Sequence, residues 1–270
     1  MLSEQFRRKI RENIFTEVTS KWPQSMVEKL FTGVDDDRVY PIWYKTLMSG
    51  EFDHLLEFTN PNKTAIDIGA LLGQYSLTLS SLSSKCLSIE PLINYSFLKM
   101  VLPPNCRLIT IAVGDQSGEG KLNTPDYQYG LSSLLSNDWQ KTAKIVTQQA
   151  TRIMTLDEIV EIELPNEPIG FIKIDVEGYE LEVLAGAMKV LSGHRPNLQI
   201  EIELKNLIKA HEMLKILDYT GLFFFDGRIH EIGQFDPDIH QNPEHAWLPG
   251  SSQGVDKDLF VVNFFFVPNR

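Results

Sequence analysis

From Thr64 onward, short apolar runs alternate with stretches of helix length, and this alternation constrains the chain more than any other feature. Thr64 to Ile68, Leu87 to Glu90, Arg107 to Val113, Ile169 to Asp175 and Leu198 to Glu203 have the length and composition of strands. Helices are expected from Gly73 to about Ser83, Tyr179 to about Leu191 and Leu207 to about Leu217. Strands joined by helix-length crossovers pair in parallel and carry helices on both faces. The predicted fold is therefore α/β, a doubly wound and mostly parallel sheet.

The end of the chain breaks this rhythm. Leu222 to Ile232 and Leu259 to Val267 are two apolar runs without a clear helix between them, as in a closing antiparallel pair. The expected sheet has seven strands in the order 3-2-1-4-5-7-6, the last antiparallel. Residues 233 to 258, with Pro237, Pro243, Pro249, Gly250, Gly254 and Trp247, read as a long connection of the kind that forms lids or binding loops. At the other end, Phe6, Ile10, Ile14 and Val18 recur at helical spacing, followed by Met26, Val27, Leu30 and Phe31. The expected organisation is a helical cap over residues 1–60 and the α/β domain over 61–270. Asp35-Asp36-Asp37 reads as a solvated turn rather than a metal site.

Composition narrows the partners. With 25 basic and 36 acidic side chains the net charge is -11, which repels phosphate backbones and argues against nucleic acid. Cys86 and Cys106 show no metal spacing and read as reduced thiols of a cytoplasmic protein. The basic start lacks an apolar core of signal-peptide type, and no apolar run reaches 18 residues, so neither secretion nor a membrane span is expected.

Asp67-Ile68-Gly69-Ala70-Leu71-Leu72-Gly73 sits where the first strand should turn into a helix. Glycines there let the backbone turn tightly and approach a ligand, a device shared with dinucleotide folds. Asp67 discriminates. A carboxylate beside the helix start repels a pyrophosphate but suits S-adenosylmethionine, which has no phosphate and carries an ammonium and a sulfonium. The expected donor contacts are Asp67, Gly69, Ala70, Gly73 and Tyr75. Glu90, 23 positions after Asp67, ends the second strand with Pro91 and is placed to bond a ribose diol. Val113-Gly114-Asp115 ends the third strand, where it would flank the adenine.

Phe171-Ile172-Lys173-Ile174-Asp175-Val176-Glu177-Gly178-Tyr179-Glu180 puts two acids at the carboxyl end of the fourth strand, where open α/β sheets bind ligands. The segment from Phe171 to Ala187, F-I-K-I-D-V-E-G-Y-E-L-E-V-L-A-G-A, resembles the signature of the FkbM family of S-adenosylmethionine-dependent methyltransferases. Asp67 to Gly73, Ile89-Glu90-Pro91, Ala112 to Asp115 and Ser132-Ser133-Leu134 are similar to that family too. The resemblance runs from about Thr64 to Glu203. It departs at Leu71, where the family usually has Asn.

The resemblance implies methyl transfer to a hydroxyl of a small-molecule natural product or saccharide. Such a displacement gains from aligning nucleophile, methyl and sulfur in a dry site, and a neutral hydroxyl gains from a base. Asp175, Glu177 and His230 are the candidate catalytic groups, with Asp175 also a donor contact. Helix-start acid is the alternative for Glu177, and a solvent-facing strand edge is the alternative for His230. Lys173, buried in a covered sheet, needs an ionic partner, and Glu201 or Glu203 is expected to supply it. Asp175, Glu203 and Asn206 do not demand a metal, and none is expected. An N-methyltransferase, a donor-binding module without catalysis and an NAD enzyme are the competing readings. Trp43, Tyr44, Tyr127, Tyr129 and Trp247 are candidates to stack on an acceptor, and a homodimer is compatible with the sequence.

Overall fold

The computed structural model describes residues 52, 54–92, 98–99, 102–125, 131–135, 145–245 and 259–269. Branched residues build the central strands, and each is followed by a turn at its carboxyl end. Helix α1 (Leu55–Phe58) leads into β1 (Thr64–Ile68), α2 (Gln74–Leu82), β2 (Lys85–Ile89) and β3 (Cys106–Ile109). After β4 (Ala112–Val113) come β5 (Gly118–Pro125), β6 (Val146–Met154) and α3 (Leu156–Glu163). Then follow β7 (Ile169–Ile174), α4 (Glu180–Ala185), α5 (Met188–His194), β8 (Asn197–Glu201) and α6 (Leu204–Ile216). The chain closes with β9 (Tyr219–Phe225), β10 (Arg228–Glu231), α7 (Pro237–His240) and β11 (Asn263–Pro268).

The main sheet runs β3-β2-β1-β7-β8-β11-β9-β10. The five strands from β3 to β8 are parallel, and β11 is antiparallel to both β8 and β9. This is the expected order, including the reversed final strand, with one strand more than the seven expected. The extra strand arises because the run from Leu222 to Ile232 folds back on itself. Asp226 and Gly227 both have positive φ, 49° and 67°, and join β9 to β10 through a two-residue turn that pairs Phe225 with Arg228. Such a turn matches the twist of its flanking strands, and Asp-Gly is its favoured sequence.

The expected third strand, Arg107 to Val113, divides as well. Residues through Ile109 stay in the main sheet, while Ala112 and Val113 pair with β6 in a separate three-stranded sheet, β4-β6-β5. The helix expected from Tyr179 to Leu191 is two helices. Between them Gly186 lies so close to Gly114 that a Cβ there would be 2.0 Å from the Gly114 carbonyl oxygen. Residues 233 to 245 are not structureless. Asp236 accepts from the Asp238 amide at 3.0 Å and Pro237 opens α7, a favoured combination of cap and first position.

Two apolar layers cover the sheet. Ile66, Ile68, Ile172, Ile174, Leu198 and Ile200 face Val183, Leu184, Leu207 and Leu214 of α4 and α6. Ala65, Phe171 and Phe265 face Leu77 and Leu79 of α2 together with Phe52, Leu55 and Phe58. The described tail of the N-terminal segment is therefore packed on the domain. Most of the expected cap, with Asp35 to Asp37, Trp43 and Tyr44, lies outside the described residues, as do Tyr127, Tyr129 and Trp247.

A row of polar side chains crosses the second layer. The strand register sets Ser88 beside Asp67, Asp67 beside Lys173 and Lys173 beside Gln199. All four are buried, Lys173 at 0% and Asp67 at 1% exposure. Adjacent strands lie about 4.8 Å apart, so side chains in register are direct neighbours.

Candidate active site

At the carboxyl ends of β1, β2 and β7 the chain leaves a cleft open to solvent. Backbone hydrogen bonds lock the strand tips around it. The Gly69 amide donates to the Ile89 carbonyl at 2.9 Å, and the Asp175 amide donates to the Ile68 carbonyl at 3.0 Å. Gly69 has φ +83°, and a Cβ on it would lie 1.7 Å from the Asp175 carbonyl oxygen. The first turn is therefore made by glycine because β7 leaves no room for anything larger.

Three acidic side chains, Glu90, Asp175 and Glu177, face this space, and no Lys or Arg stands among the described residues that line it. Glu90 reaches back under the turn. Its carboxylate oxygens accept from the Leu71 amide at 2.7 Å and the Leu92 amide at 2.9 Å. Burial pushes its carboxyl up to about 7, against the lowering by these two bonds. Each oxygen still has a second lone pair for a ligand hydroxyl.

Glu177 sits in a left-handed turn, φ 53°, ahead of α4. The helix-start position is taken instead by Glu180, which is buried and accepts from the Gly178 amide at 2.8 Å. Burial, then the Asp175 charge, pushes Glu177 up to about 9, with Glu201, Glu180 and Glu203 adding to the same direction. At neutral pH it carries a proton.

The remaining walls are mostly apolar, with Ile89, Leu92, Ile111, Leu122, Leu134 and Val176, joined by Tyr179 and by Ser132 and Ser133. The small sheet supplies part of them. Backbone bonds in both directions between Asn123 and Ser133, at 2.8 and 3.0 Å, strap residues 132–134 onto β5. The Gln149 side chain donates to the Pro91 carbonyl at 2.7 Å and ties β6 to the tip of β2.

The structure brings Gly69, Glu90, Pro91, Val113, Asp175 and Glu177 to one cleft. Asp67 does not line it. Its carboxylate accepts from the Ser76 hydroxyl at 2.5 Å beneath the glycine turn, and burial pushes it up to about 6. Ala70, Gly73, Tyr75, Gly114 and Asp115 are likewise not among the lining residues, and Asp115 is exposed. Gly114 packs on the Tyr179 ring. His230 lies apart, on the outer strand β10, with β9, β11 and β8 between it and β7. Its ring stacks on Phe223 with centroids 5.2 Å apart.

Sequence reasoning did not single out Leu92, Ile111, Leu122 or Tyr179 as lining. The signal of Leu122 was hidden because β5 and β6 are polar, half-exposed strands, with Lys121, Asn123, Gln148 and Gln149 interrupting any clear alternation. No group of His, Cys, Asp or Glu among the described residues could hold a metal ion.

The FkbM methyltransferase domain matches residues 67–222. The chain belongs to the FkbM methyltransferase family. No curated protein matches it. Among solved structures, the FkbM methyltransferase of Methylobacillus flagellatus KT is 16% identical, with 88% of this chain and 57% of that chain covered and a TM-score of 0.43. The chain thus spans little more than half of that protein. SMU.1697c from Streptococcus mutans, solved in complex with SAH, is 15% identical over 66% of this chain and 84% of that one, with a TM-score of 0.36. The precorrin-6y C5,15-methyltransferase of Geobacter metallireducens GS-15 is 15% identical over 71% and 81%, with a TM-score of 0.35. At such TM-scores these likenesses add nothing to the family match.

An FkbM methyltransferase takes its methyl group from S-adenosylmethionine, and the cleft fits that donor. Its three acids and lack of cations suit a ligand that is positive and free of phosphate, and its apolar wall suits a flat base.

Proposed function

We propose that this FkbM methyltransferase transfers a methyl group from S-adenosylmethionine to a hydroxyl of a small molecule or saccharide in the cytoplasm. One observation carries the reading: a strand-tip cleft with Glu90, Asp175 and Glu177 on its walls and no basic side chain among the described lining residues. A pyrophosphate cofactor would find no counter-charge there, which disfavours the NAD reading.

The bound donor supplies an electrophilic methyl group with a neutral thioether as leaving group. Glu90 is assigned to the ribose hydroxyls, through the lone pairs its amide partners leave. Gly69 lets the backbone approach without a Cβ. Leu92, Ile111 and Leu134 form the apolar contact for the adenine. Asp175 and Glu177 stand at the tip of β7, where methyl and acceptor would meet. Asp67 acts from below, through Ser76 and the polar row, rather than by direct contact.

Glu177 is the assigned base. Its proton is held by burial and by the Asp175 charge, so positive charge entering the cleft favours its release. The ionised carboxylate then accepts the hydroxyl proton as oxygen attacks carbon, and excluding water strengthens that interaction. An amine acceptor is the second reading, favoured by the negative field that Asp175, Glu201, Glu180 and Glu203 build around Glu177.

Calorimetry with S-adenosylmethionine, followed by turnover with isotopically labelled donor against hydroxylated and amino metabolites, tests the proposal. Saturable donor binding and label transfer to oxygen are expected. No binding at millimolar donor would overturn the assignment, and transfer to nitrogen alone would replace it with the second reading.

A further inference from the structure

Lys173 is the most completely enclosed charge among the described residues, with 0% exposure in the middle of a parallel sheet. A buried ammonium is costly unless its donors are placed. Its Nζ lies 3.2 Å from the Asn263 side-chain oxygen and 3.5 Å from Asp175 Oδ2. Glu201 stands at 4.0 Å, and the Tyr75 ring centroid at 4.9 Å gives a cation–π contact. The same Asn263 oxygen also accepts from Gln199 Nε2 at 2.9 Å, and Gln199 donates to the Tyr75 hydroxyl at 2.8 Å. The ammonium is thus clamped between α2, β8 and β11, and from that clamp it holds a carboxylate on the cleft wall.

The geometry points to Lys173 as the positioning residue of the cleft: fixed by Asn263, Gln199 and Tyr75, its ammonium sets the Asp175 carboxylate at the tip of β7 toward a cationic donor. The inference rests on the reading of the cleft as an S-adenosylmethionine site. It gives a function to the polar row, whose members Asp67 and Gln199 flank Lys173 in register. It also brings β11, near the end of the chain and beyond the family match, into the site through one side chain.

The sign of the charge makes the inference testable. Were Lys173 only a positive charge beneath a positive ligand, removing it would tighten donor binding. Were it only structural, removing it would lower the melting temperature and leave the affinity of the folded fraction unchanged. As a positioning group its loss weakens binding while the fold persists. Wild type, Lys173→Met and Asn263→Ala are compared by calorimetry with S-adenosylmethionine and by thermal melting without it.

Both variants are expected to raise the donor Kd about tenfold or more while still folding cooperatively, with Asn263→Ala also lowering the melting temperature because it leaves the buried ammonium and Gln199 short of an acceptor. Asn263→Ala keeps the charge and removes only its clamp, so it decides the question should Lys173→Met fail to fold. Tyr75→Phe keeps the ring and removes the hydroxyl that Gln199 donates to, and should raise Kd less than Asn263→Ala. Unchanged or tighter binding in Asn263→Ala would overturn the inference while leaving the donor site standing. Absence of wild-type binding would overturn both.

Discussion

Gly69 and the Asp175 carbonyl face each other with no space between them: a Cβ at position 69 would sit 1.7 Å from that oxygen. The contact joins the turn after β1 to the tip of β7, beside the Asp175 amide bond to the Ile68 carbonyl. Gly69→Ala should cost about 1–2 kcal/mol for the left-handed backbone and about 1–3 kcal/mol for overpacking. Denaturant unfolding should show this loss, and calorimetry should show donor binding gone. A variant as stable as wild type would refute the close contact.

The unliganded protein should lose stability as pH rises. Asp67, Glu90 and Glu180 are pushed up by burial to about 6, 7 and 7 in the folded state. Folded values above unfolded ones mean that the native state binds more protons. The stability these groups contribute is fully present below about pH 4 and is lost through pH 6–7, at about 1.4 kcal/mol for each unit of raised pKa. Melting temperatures measured from pH 4.5 to 8.5 should therefore fall. Glu90→Gln should flatten the slope, and a melting temperature that climbs toward pH 8 would contradict the burial of these acids.

Donor binding should release a proton from Glu177. Held at about 9 in the free protein, its carboxyl ionises more readily beside a cation, so wild-type affinity should keep rising with pH up to about 9. Glu177→Gln should bind donor at pH 7 within a fewfold of wild type, because amide and protonated acid are alike in charge. Its affinity should stop rising above about pH 8, and its turnover should drop about 100-fold or more. Calorimetry in buffers of differing ionisation heat counts the proton. No difference between the two proteins in that count would remove Glu177 from the site.

Leu71 has φ 44°, a left-handed conformation that is costly for a branched apolar side chain and mild for Asn. Leu71→Asn, which restores the residue usual in the family, should raise the unfolding free energy by about 1 kcal/mol. Chemical denaturation measures this directly. Its amide would keep the bond to Glu90, so the turn itself should persist.

The strand order was legible because Thr64 to Ile68, Ile169 to Ile174 and Asn197 to Glu201 are short apolar runs separated by helix-length segments. Glu90, Asp175 and Glu177 were legible because they end such runs. Asp67 stands beneath the cleft instead of on its wall, for a reason a linear reading misses. The pleat turns it toward α2, where Ser76 takes its carboxylate, while the backbone beyond it turns into the cleft. His230 looked like a candidate because a histidine near a strand end is common at sites, yet the Asp226-Gly227 turn carries it to the outermost strand. Lys173 was rightly expected to be buried and paired. Its ionic partners include Glu201 as expected, but Asp175 is nearer, and Asn263 comes from a strand 90 positions away.

The Gln149 bond to the Pro91 carbonyl ties the small sheet to the tip of β2 in the large one, beside the core packing of Val113 and Met154. Glu90, Asp175 and Glu177 stand at strand tips of the large sheet, where Gly69 leaves no room for a side chain. The β5–β6 ribbon of the small sheet contributes Leu122 to the cleft wall and holds Ser133 beside it. Exchanging that ribbon for one of another length would reshape the room above the methyl group while leaving the transfer machinery intact, so new acceptors can arise without rebuilding the enzyme.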